Sequence, residues 1–239
     1  MRSVLILLAL VIAFTSGGCT SATESKGVND VLAFYGGKVV YARGMSSSTE
    51  GKLQGQYYEL KLSGVANKLS NHFSTFQLPA SNCAYLFFHA LSPTEKKTYA
   101  YIRVRIEAEG GGPTYAFASQ DLALAERAMS LVTFAVEDLH TKKYDDFLNL
   151  GNPRVFTKQA IGKFKQNLAA IDQQYGPVKA FSLQGFKMVQ HNFAKGPHQL
   201  IQLAGVLIRE GKNTDFTFII DPNASPKSKY LYGFRFSKE

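Results

Sequence analysis

Hydrophobic residues recur at intervals of three and four positions along the second half of the chain, and this spacing predicts amphipathic helices. One helix is predicted over residues 121–140 and another over 158–175, with a short helix at 144–150 between them. Thr157 is the N-cap candidate of the last helix, and the Gly-Pro step after Tyr175 predicts its end. The apolar stripes consist of Leu124, Ala128, Leu131, Ala135 and Leu139, and of Ile161, Phe164, Leu168, Ile171 and Tyr175.

Four strands are predicted after these helices, because β-prone segments there alternate with turn-rich links. The links REGKNTD and DPNASPKS are rich in residues that favour tight turns, so neighbouring strands should pair as antiparallel hairpins. Helices followed by a meander of strands make an α+β arrangement. The predicted strands cover residues 179–189, 199–210, 214–221 and 229–237.

The first part of the chain shows shorter and less regular patterns. Residues 31–43, interrupted by two glycines, are predicted as a strand or a broken pair of strands, and residues 57–62 as a short strand. Apolar residues spaced by four predict a helix over 65–76, and Pro79 prevents its continuation. This region therefore predicts a mixture of helix and sheet.

Three further strands are predicted before the long helices begin. The run CAYLFFHAL at 83–91 is apolar on both faces, which is typical of a strand covered on both sides. Residues 98–109 alternate between two faces, which favours an antiparallel sheet with one face in water, and 114–119 should pair back as a third strand.

These patterns predict two small α+β domains that meet near Asp121. The first covers residues 31–120 and the second covers residues 121–239. A chain of 239 residues is long enough to form one large or two small domains. The predicted fold class is therefore α+β, with helices packed on an antiparallel sheet in the second domain.

The amino terminus, MRSVLILLALVIAFTSGGC, has the organisation of an export signal. One basic residue, Arg2, precedes an apolar run from Val4 to Phe14, which is too short to span a bilayer because a span needs about 20 residues. The final residues, Ser16 to Cys19, resemble the lipobox of bacterial lipoproteins, in which the signal is cut before a cysteine that carries a diacylglyceryl group. Ser16 departs from that pattern, in which leucine is usual at this position. Ordinary cleavage after Ala22 is the alternative, and it would release a soluble exported protein.

The resemblance implies a location as well as an anchor. It makes residues 1–18 a signal peptide and Cys19 a lipidated residue that binds the protein to the membrane. Thr20 is not aspartate, and in diderm lipoproteins this favours sorting to the outer membrane, facing the periplasm. The small and polar residues of 19–30 are predicted as a flexible tether. The protein is therefore expected to be exported and held in the cell envelope.

Charge and cysteine content narrow the expected partners. The net charge is +9, but the basic residues are scattered, so a solvated surface is favoured and nucleic acid is not expected as a partner. The chain has two cysteines. If Cys19 carries lipid, Cys83 has no disulfide partner, and its apolar surroundings favour a buried and unreactive thiol.

Residues 141–181 carry a second resemblance, to small bacterial domains of the nuclear-transport-factor-two-like, cystatin-like superfamily. The shared features are a helix that ends near the step Lys142-Lys143-Tyr144-Asp145, a second helix closed by Gly-Pro, and strands that follow. The resemblance covers residues 121–236 and implies helices wrapped against a strongly curved antiparallel sheet. This fold serves enzymes, binding modules and scaffolds, so it does not decide the function.

One set of residues could line a cavity on the concave face of such a sheet. Alternation along KYLYGFRFS places Tyr230, Tyr232 and Phe234 on one face, and aromatic walls with hydroxyl groups suit a small apolar or aromatic ligand. Some enzymes of the superfamily pair a tyrosine with an aspartate in this cavity, and Asp215 or Asp221 could be that acid. Ordinary packing in the core is the competing explanation of the aromatic face.

The sequence contains no GxSxG, HExxH or CxxC motif, so no catalytic residue, cofactor or metal site is predicted. The leading hypothesis is an envelope lipoprotein that binds a small apolar ligand or an envelope protein without catalysis. One alternative is an enzyme that uses the Tyr/Asp cavity for acid–base chemistry. A second alternative is a structural or assembly-factor lipoprotein whose strand edges recruit partners.

Overall fold

The structure is a computed structural model that describes residues 21–47, 53–109, 111–193 and 196–236. The predicted signal peptide over 1–18 and the predicted lipidated residue Cys19 lie outside the described residues. Over the described part of the chain the fold is mixed α+β, with seven helices and two four-stranded sheets. The α+β class predicted from the sequence is therefore confirmed.

The first sheet is formed by four strands in the order β1-β2-β3-β4. Strands β1 and β2 are antiparallel, as are β3 and β4, whereas β2 and β3 are parallel. The parallel pairing requires a crossover, and three helices supply it. In chain order the elements are α1 (Ala22–Tyr35), β1 (Lys38–Ser46), β2 (Gly55–Ser63), α2 (Ala66–Ser70), α3 (Gln77–Ala90), α4 (Pro93–Thr98), β3 (Tyr101–Ile106) and β4 (Thr114–Ala118).

The second sheet is entirely antiparallel, in the order β5-β6-β7-β8, as predicted. Register shifts after Val178 and Leu183 interrupt β5, and such bulges bend a strand and increase its twist. The predicted cap of α7 is also present, since the Thr157 hydroxyl accepts from the backbone of Ala160. The elements are α5 (Ser119–His140), α6 (Tyr144–Asn149), α7 (Lys158–Tyr175), β5 (Val178–Phe193), β6 (Gly196–Arg209), β7 (Thr214–Ile220) and β8 (Leu231–Phe236).

The amino-terminal segment is a helix, so two predictions are wrong there. The flexible tether over 19–30 is replaced from Ala22 onward by α1, and the strand over 31–43 begins only at Lys38. Ser21 caps the helix in a capping box with Glu24, which stabilises the first turn. Gly36, at φ 72°, then ends it in a conformation that glycine adopts readily.

The apolar run at 83–91 is also a helix rather than a covered strand. It belongs to α3, in which nine of 14 residues are buried, and a helix that is apolar on most sides can be buried on most sides. A short apolar run does not distinguish this case from a covered strand by its periodicity. Pro79 lies in the first turn of α3, where its missing N–H costs no helical hydrogen bond. The helix predicted over 65–76 is shortened to α2.

Strand β3 is not part of the purely antiparallel sheet that its alternation predicted. It pairs in parallel with β2 on one side and antiparallel with β4 on the other. Four of its six residues are buried, because α3 packs over the sheet as well. The polar residues of β3 therefore indicate which face of the strand is less covered. They do not indicate whether its neighbours pair in parallel or antiparallel.

One cluster of buried hydrophobic residues includes members from both parts of the chain. Helix α3 packs on β5 of the second sheet, where the Ser81 hydroxyl accepts a hydrogen bond of 2.8 Å from the backbone N–H of Phe186. Gly185 brings the strand close, since a Cβ there would lie 2.2 Å from the carbonyl oxygen of Leu78. The predicted boundary near Asp121 lies in the first turn of α5.

Candidate functional site

A pocket of about 600 Å³ lies where the carboxyl end of α1, helix α2 and the start of α3 meet the second sheet. This volume is within the range of small-molecule sites, which are about 300–1,000 Å³. The sheet side is formed by β5, β6 and β7, and the opposite side by the helices. The lining residues are Phe34, Tyr35, Lys68, Leu69, His72, Phe73, Leu78, Gln184, Ala204, Gly205, Val206, Asp215, Phe216 and Thr217.

The register of β6 and β7 explains which residues form the sheet side. Val206 is paired with Asp215 and Ala204 with Thr217, so these four side chains share one face of the sheet. Gln184 reaches the same region from the bulge in β5, which adds a residue opposite β6. The sheet side of the site therefore depends on the pairing register of β5, β6 and β7.

The lining combines an apolar wall with a polar rim. Phe34, Phe73 and Leu69 provide apolar lining on the helical side, and Ala204 and Val206 provide it on the sheet side. Lys68 and His72 approach from the α2 side, Asp215 lies on β7, and all three residues are exposed. Positive and negative groups thus surround a mouth that leads to apolar surface, which suits an amphipathic ligand with a ring-sized body.

Tyr35 lies in the wall and is fixed by hydrogen bonds. Its hydroxyl donates to the carbonyl oxygen of Pro79 at 3.1 Å and accepts from Nδ2 of Asn82 at 3.1 Å. Burial, reinforced by the neighbouring Cys83, raises the pKa of Tyr35 well above its ordinary value. Tyr35 is the only tyrosine in the pocket lining within the described part of the chain. Because its hydroxyl already donates and accepts hydrogen bonds within the protein, this pocket gives no support to the alternative of an acid–base enzyme.

The residues behind Tyr35 are polar but enclosed. Asn82 is fully buried, and its Oδ1 has no hydrogen-bond partner among the described residues. Cys83 is buried and forms no disulfide within the described part of the chain, and burial raises the pKa of its thiol well above the usual range. The prediction of a buried thiol is confirmed, and its raised pKa makes Cys83 a poor nucleophile.

The aromatic residues predicted to line a cavity lie elsewhere, and only Asp215 of the predicted set lines the pocket. Tyr230 is fully buried and donates a hydrogen bond of 3.0 Å to the carbonyl oxygen of Leu131 in α5. Phe234 belongs to a cluster of rings between the second sheet and the helices α6 and α7. Both residues are therefore packing residues of the core.

Tyr232 and Asp221 form a different cluster at the far end of the same sheet. Ile219 pairs with Gly233 and Ile220 with Leu231, so Tyr232 is an extra residue in a β-bulge. His198 connects the two, because its Nε2 lies 3.0 Å from Oδ2 of Asp221 and its ring centre lies 5.4 Å from that of Tyr232. The structure thus separates the predicted set into the pocket, the core and this cluster.

A polar network at the start of α1 was not expected from the sequence. The carboxylate of Glu24 is fully buried and accepts hydrogen bonds from Arg43, from the Tyr58 hydroxyl at 2.6 Å and from the backbone of Ser21. Burial alone would raise the pKa of Glu24, but the bonds from Arg43 and Tyr58 outweigh burial and hold the pKa below its usual range. The spacing Ser21-x-x-Glu24 is the signal from which the capped helix could have been predicted.

Glu95, in a second capping box at the start of α4, extends this network to α1. Its carboxylate accepts from the hydroxyls of Ser21 at 2.6 Å and Thr23 at 2.7 Å, and from the backbone of Ser92 at 2.7 Å. Partial burial acts to raise the pKa of Glu95, but these three donors lower it to about 2. The first turn of α1 is therefore held to α4 by an ionised carboxylate.

Residues 21–47, 53–109, 111–193 and 196–236 contain no group of three or more His, Cys, Asp or Glu side chains arranged to hold a metal ion. No helix among these residues is both long and apolar enough to span a bilayer. The chain matches no known protein family, no curated protein and no solved structure.

Proposed function

We propose that this protein is an exported lipoprotein of the cell envelope, anchored through Cys19 to the outer membrane facing the periplasm, that binds a small amphipathic ligand without catalysis. The observation that carries the binding part is the pocket of about 600 Å³, which has an apolar wall and a charged rim. The export signal and the lipobox-like residues before Cys19 support the anchor. The ligand class is a molecule with an apolar or aromatic body and a polar or charged end.

The proposed architecture of residues 121–236 is that of the cystatin-like, nuclear-transport-factor-two-like superfamily. Two long helices and a short one precede a four-stranded antiparallel sheet in chain order, and this order is compatible with the resemblance to that superfamily. The bulges in β5 support a curved sheet. In this proposal the helices of the first part of the chain close the pocket over one face of that sheet.

Binding is tested with 8-anilinonaphthalene-1-sulfonate, a fluorescent probe that has an aromatic body and one anionic group. We expect saturable binding of one probe molecule to the folded protein. Ala204→Phe adds a ring to the sheet side of the pocket, and we expect about tenfold weaker binding, equivalent to about 1.4 kcal/mol. The matched control is Ala42→Phe, the same substitution at an exposed position of β1 outside the pocket lining, which should leave binding unchanged.

The natural ligand is sought by mass spectrometry of small molecules that copurify with the protein from its own envelope. A molecule retained by the wild-type chain and lost from Ala204→Phe supports the proposal. If no molecule is retained and both phenylalanine variants bind the probe as the wild type does, the pocket is not a binding site and the assembly-factor alternative is favoured. The anchor is tested separately, because Cys19→Ala should abolish both lipid labelling and association with membranes.

A further inference from the structure

The first turn of α1 is clamped to the folded protein close to the proposed anchor. The Ser21 hydroxyl donates to Glu95, Thr23 donates to the same carboxylate, and the Ser21 backbone donates to Glu24 at 2.9 Å. Only Thr20 separates Ser21 from Cys19. A chain extends at most about 3.6 Å per residue, so two residues of any chain span at most about 7 Å. A lipid on Cys19 would therefore hold this end of the protein at the bilayer.

The surface around Ser21 is formed by three elements. Helix α4 contributes the exposed residue Lys97, and its Glu95 carboxylate is occupied by the three donors. Strand β1 contributes its carboxyl end, because Arg43 binds Glu24 in the first turn of α1. Met45, two residues further along β1, is 71% exposed. Basic side chains bind anionic lipid head groups, and exposed apolar side chains insert at the boundary between the head groups and the acyl chains.

The pocket lies at the opposite end of α1. Phe34 and Tyr35, which line it, are the last residues of this helix. A helix of 14 residues is about 21 Å long at about 1.5 Å per residue. Helix α1 therefore separates the anchored end from the pocket by most of its length.

We propose that the surface formed by the first turn of α1, α4 and the carboxyl end of β1 rests on the bilayer, with α1 as a rigid spacer that holds the pocket in water. This orientation rests on the lipid anchor of the proposed function. It makes the ligand one that reaches the pocket from the aqueous compartment and not by lateral transfer from the bilayer. Replacement of the expected flexible tether by a capped helix is what gives the protein a defined orientation.

The test uses the full lipidated chain in vesicles of phosphatidylethanolamine and phosphatidylglycerol that carry lipids with nitroxide spin labels. A fluorophore is attached to single introduced cysteines, which is practical because Cys19 would be blocked by lipid and Cys83 is buried. Met45→Cys reports on the proposed contact surface, Lys68→Cys on the pocket rim, and Phe134→Cys, 53% exposed in the wild type, on α5. We expect strong quenching of the label at position 45 and little quenching at positions 68 and 134.

Equal quenching at all three positions, or strongest quenching at position 68, would overturn the orientation. Inserting six Gly and Ser residues after Thr20 provides an internal control, because it should abolish the difference in quenching while the protein still floats with the vesicles. Mass spectrometry of Cys19 and vesicle flotation identify which proposal has failed. Absence of lipid on Cys19 contradicts the anchor and the orientation together, whereas a lipidated protein with uniform quenching contradicts the orientation alone.

Discussion

Arg43 in β1 and Glu24 in α1 form an ion pair in which one partner is fully buried and the other is partly exposed. The Arg43 guanidinium donates from Nε at 2.9 Å to Oε1 and from Nη2 at 2.6 Å to each carboxylate oxygen of Glu24. The Glu24 side chain is 0% exposed, whereas that of Arg43 is 42% exposed. The strand therefore supplies the charge that allows a carboxylate to remain ionised inside the first turn of the helix.

The first prediction is that Arg43→Ala destabilises the protein by about 2 kcal/mol, because it leaves a buried carboxylate short of donors. Urea unfolding followed by circular dichroism measures this difference. The matched control is Arg235→Ala, which removes an exposed arginine from β8 and should change the free energy of unfolding by less than about 0.5 kcal/mol. Equal effects of the two variants would show that the Glu24 pair is not a stabilising contact.

Glu95 predicts a dependence of stability on pH in the acid range. Its pKa is lowered from 4.5 to about 2 in the folded protein. Because the folded pKa lies below the unfolded one, the stabilisation is complete above pH 4.5 and is lost as the pH falls towards about 2. Thermal unfolding at a series of pH values should show this loss in the wild type. In Glu95→Gln the slope between these pH values should be smaller.

The control for this prediction is Glu107→Gln, which neutralises an exposed glutamate beyond the end of β3. Its pH profile should have the slope of the wild type. If Glu95→Gln also keeps that slope, the hydroxyls of Ser21 and Thr23 do not hold the Glu95 carboxylate in its ionised form in solution.

The secondary structure after about residue 119 could be predicted because the hydrophobic spacing and the helix-end signals there are distinct. The stripe of α7 repeats with helical spacing, Thr157 caps it, and Gly176 at φ 85° ends it. Helix α3 lacks such contrast, since it is buried between α1 and the two sheets and has no polar stripe to report its period. Helix α1 was missed because its short polar residues suggest a linker, although the capping box at Ser21 predicts the start of a helix.

The candidate site was much less predictable than the fold. Lys68 in α2 and Asp215 in β7 both line the pocket, although they lie far apart in the sequence. The tertiary arrangement, which places α2 and the second sheet on two sides of one pocket, brings both residues to the site. The bulge at Tyr232 likewise ends the alternation that placed Tyr230, Tyr232 and Phe234 on one face. Alternation reports a shared face only while the register is unbroken.

We predict a second large loss of stability when Arg209 is substituted. It is almost fully buried and donates to Asp172 at 2.5 Å and to the carbonyl oxygen of Gly176 at 2.7 Å, which joins β6 to the end of α7. Arg209→Ala leaves the buried Asp172 carboxylate without its cation and should cost about 3 kcal/mol. Lys179→Ala, which breaks an exposed pair with Glu210, is the control and should cost less than about 1 kcal/mol. Chemical unfolding of both variants measures the difference.

The last prediction concerns the contact between α3 and the second sheet. A Cβ at Gly185 would lie 2.2 Å from the carbonyl oxygen of Leu78 and 2.7 Å from Oγ of Ser81, so Gly185→Ala must displace the helix or the strand. We expect a loss of about 2 kcal/mol and weaker probe binding, since Leu78 and the neighbouring Gln184 line the pocket.

The same substitution at Gly162 is the control for this contact. Gly162 lies in α7, where a Cβ would meet nothing within 4 Å, and Gly162→Ala should stabilise the helix by about 1 kcal/mol. Both variants gain one methyl group. If the free energy of unfolding falls in Gly185→Ala and rises in Gly162→Ala, close packing at Gly185 is the cause of the loss. If Gly185→Ala were as stable as the wild type and bound the probe equally well, α3 would not be packed against β5 in solution, and the pocket would lack the wall that α3 provides.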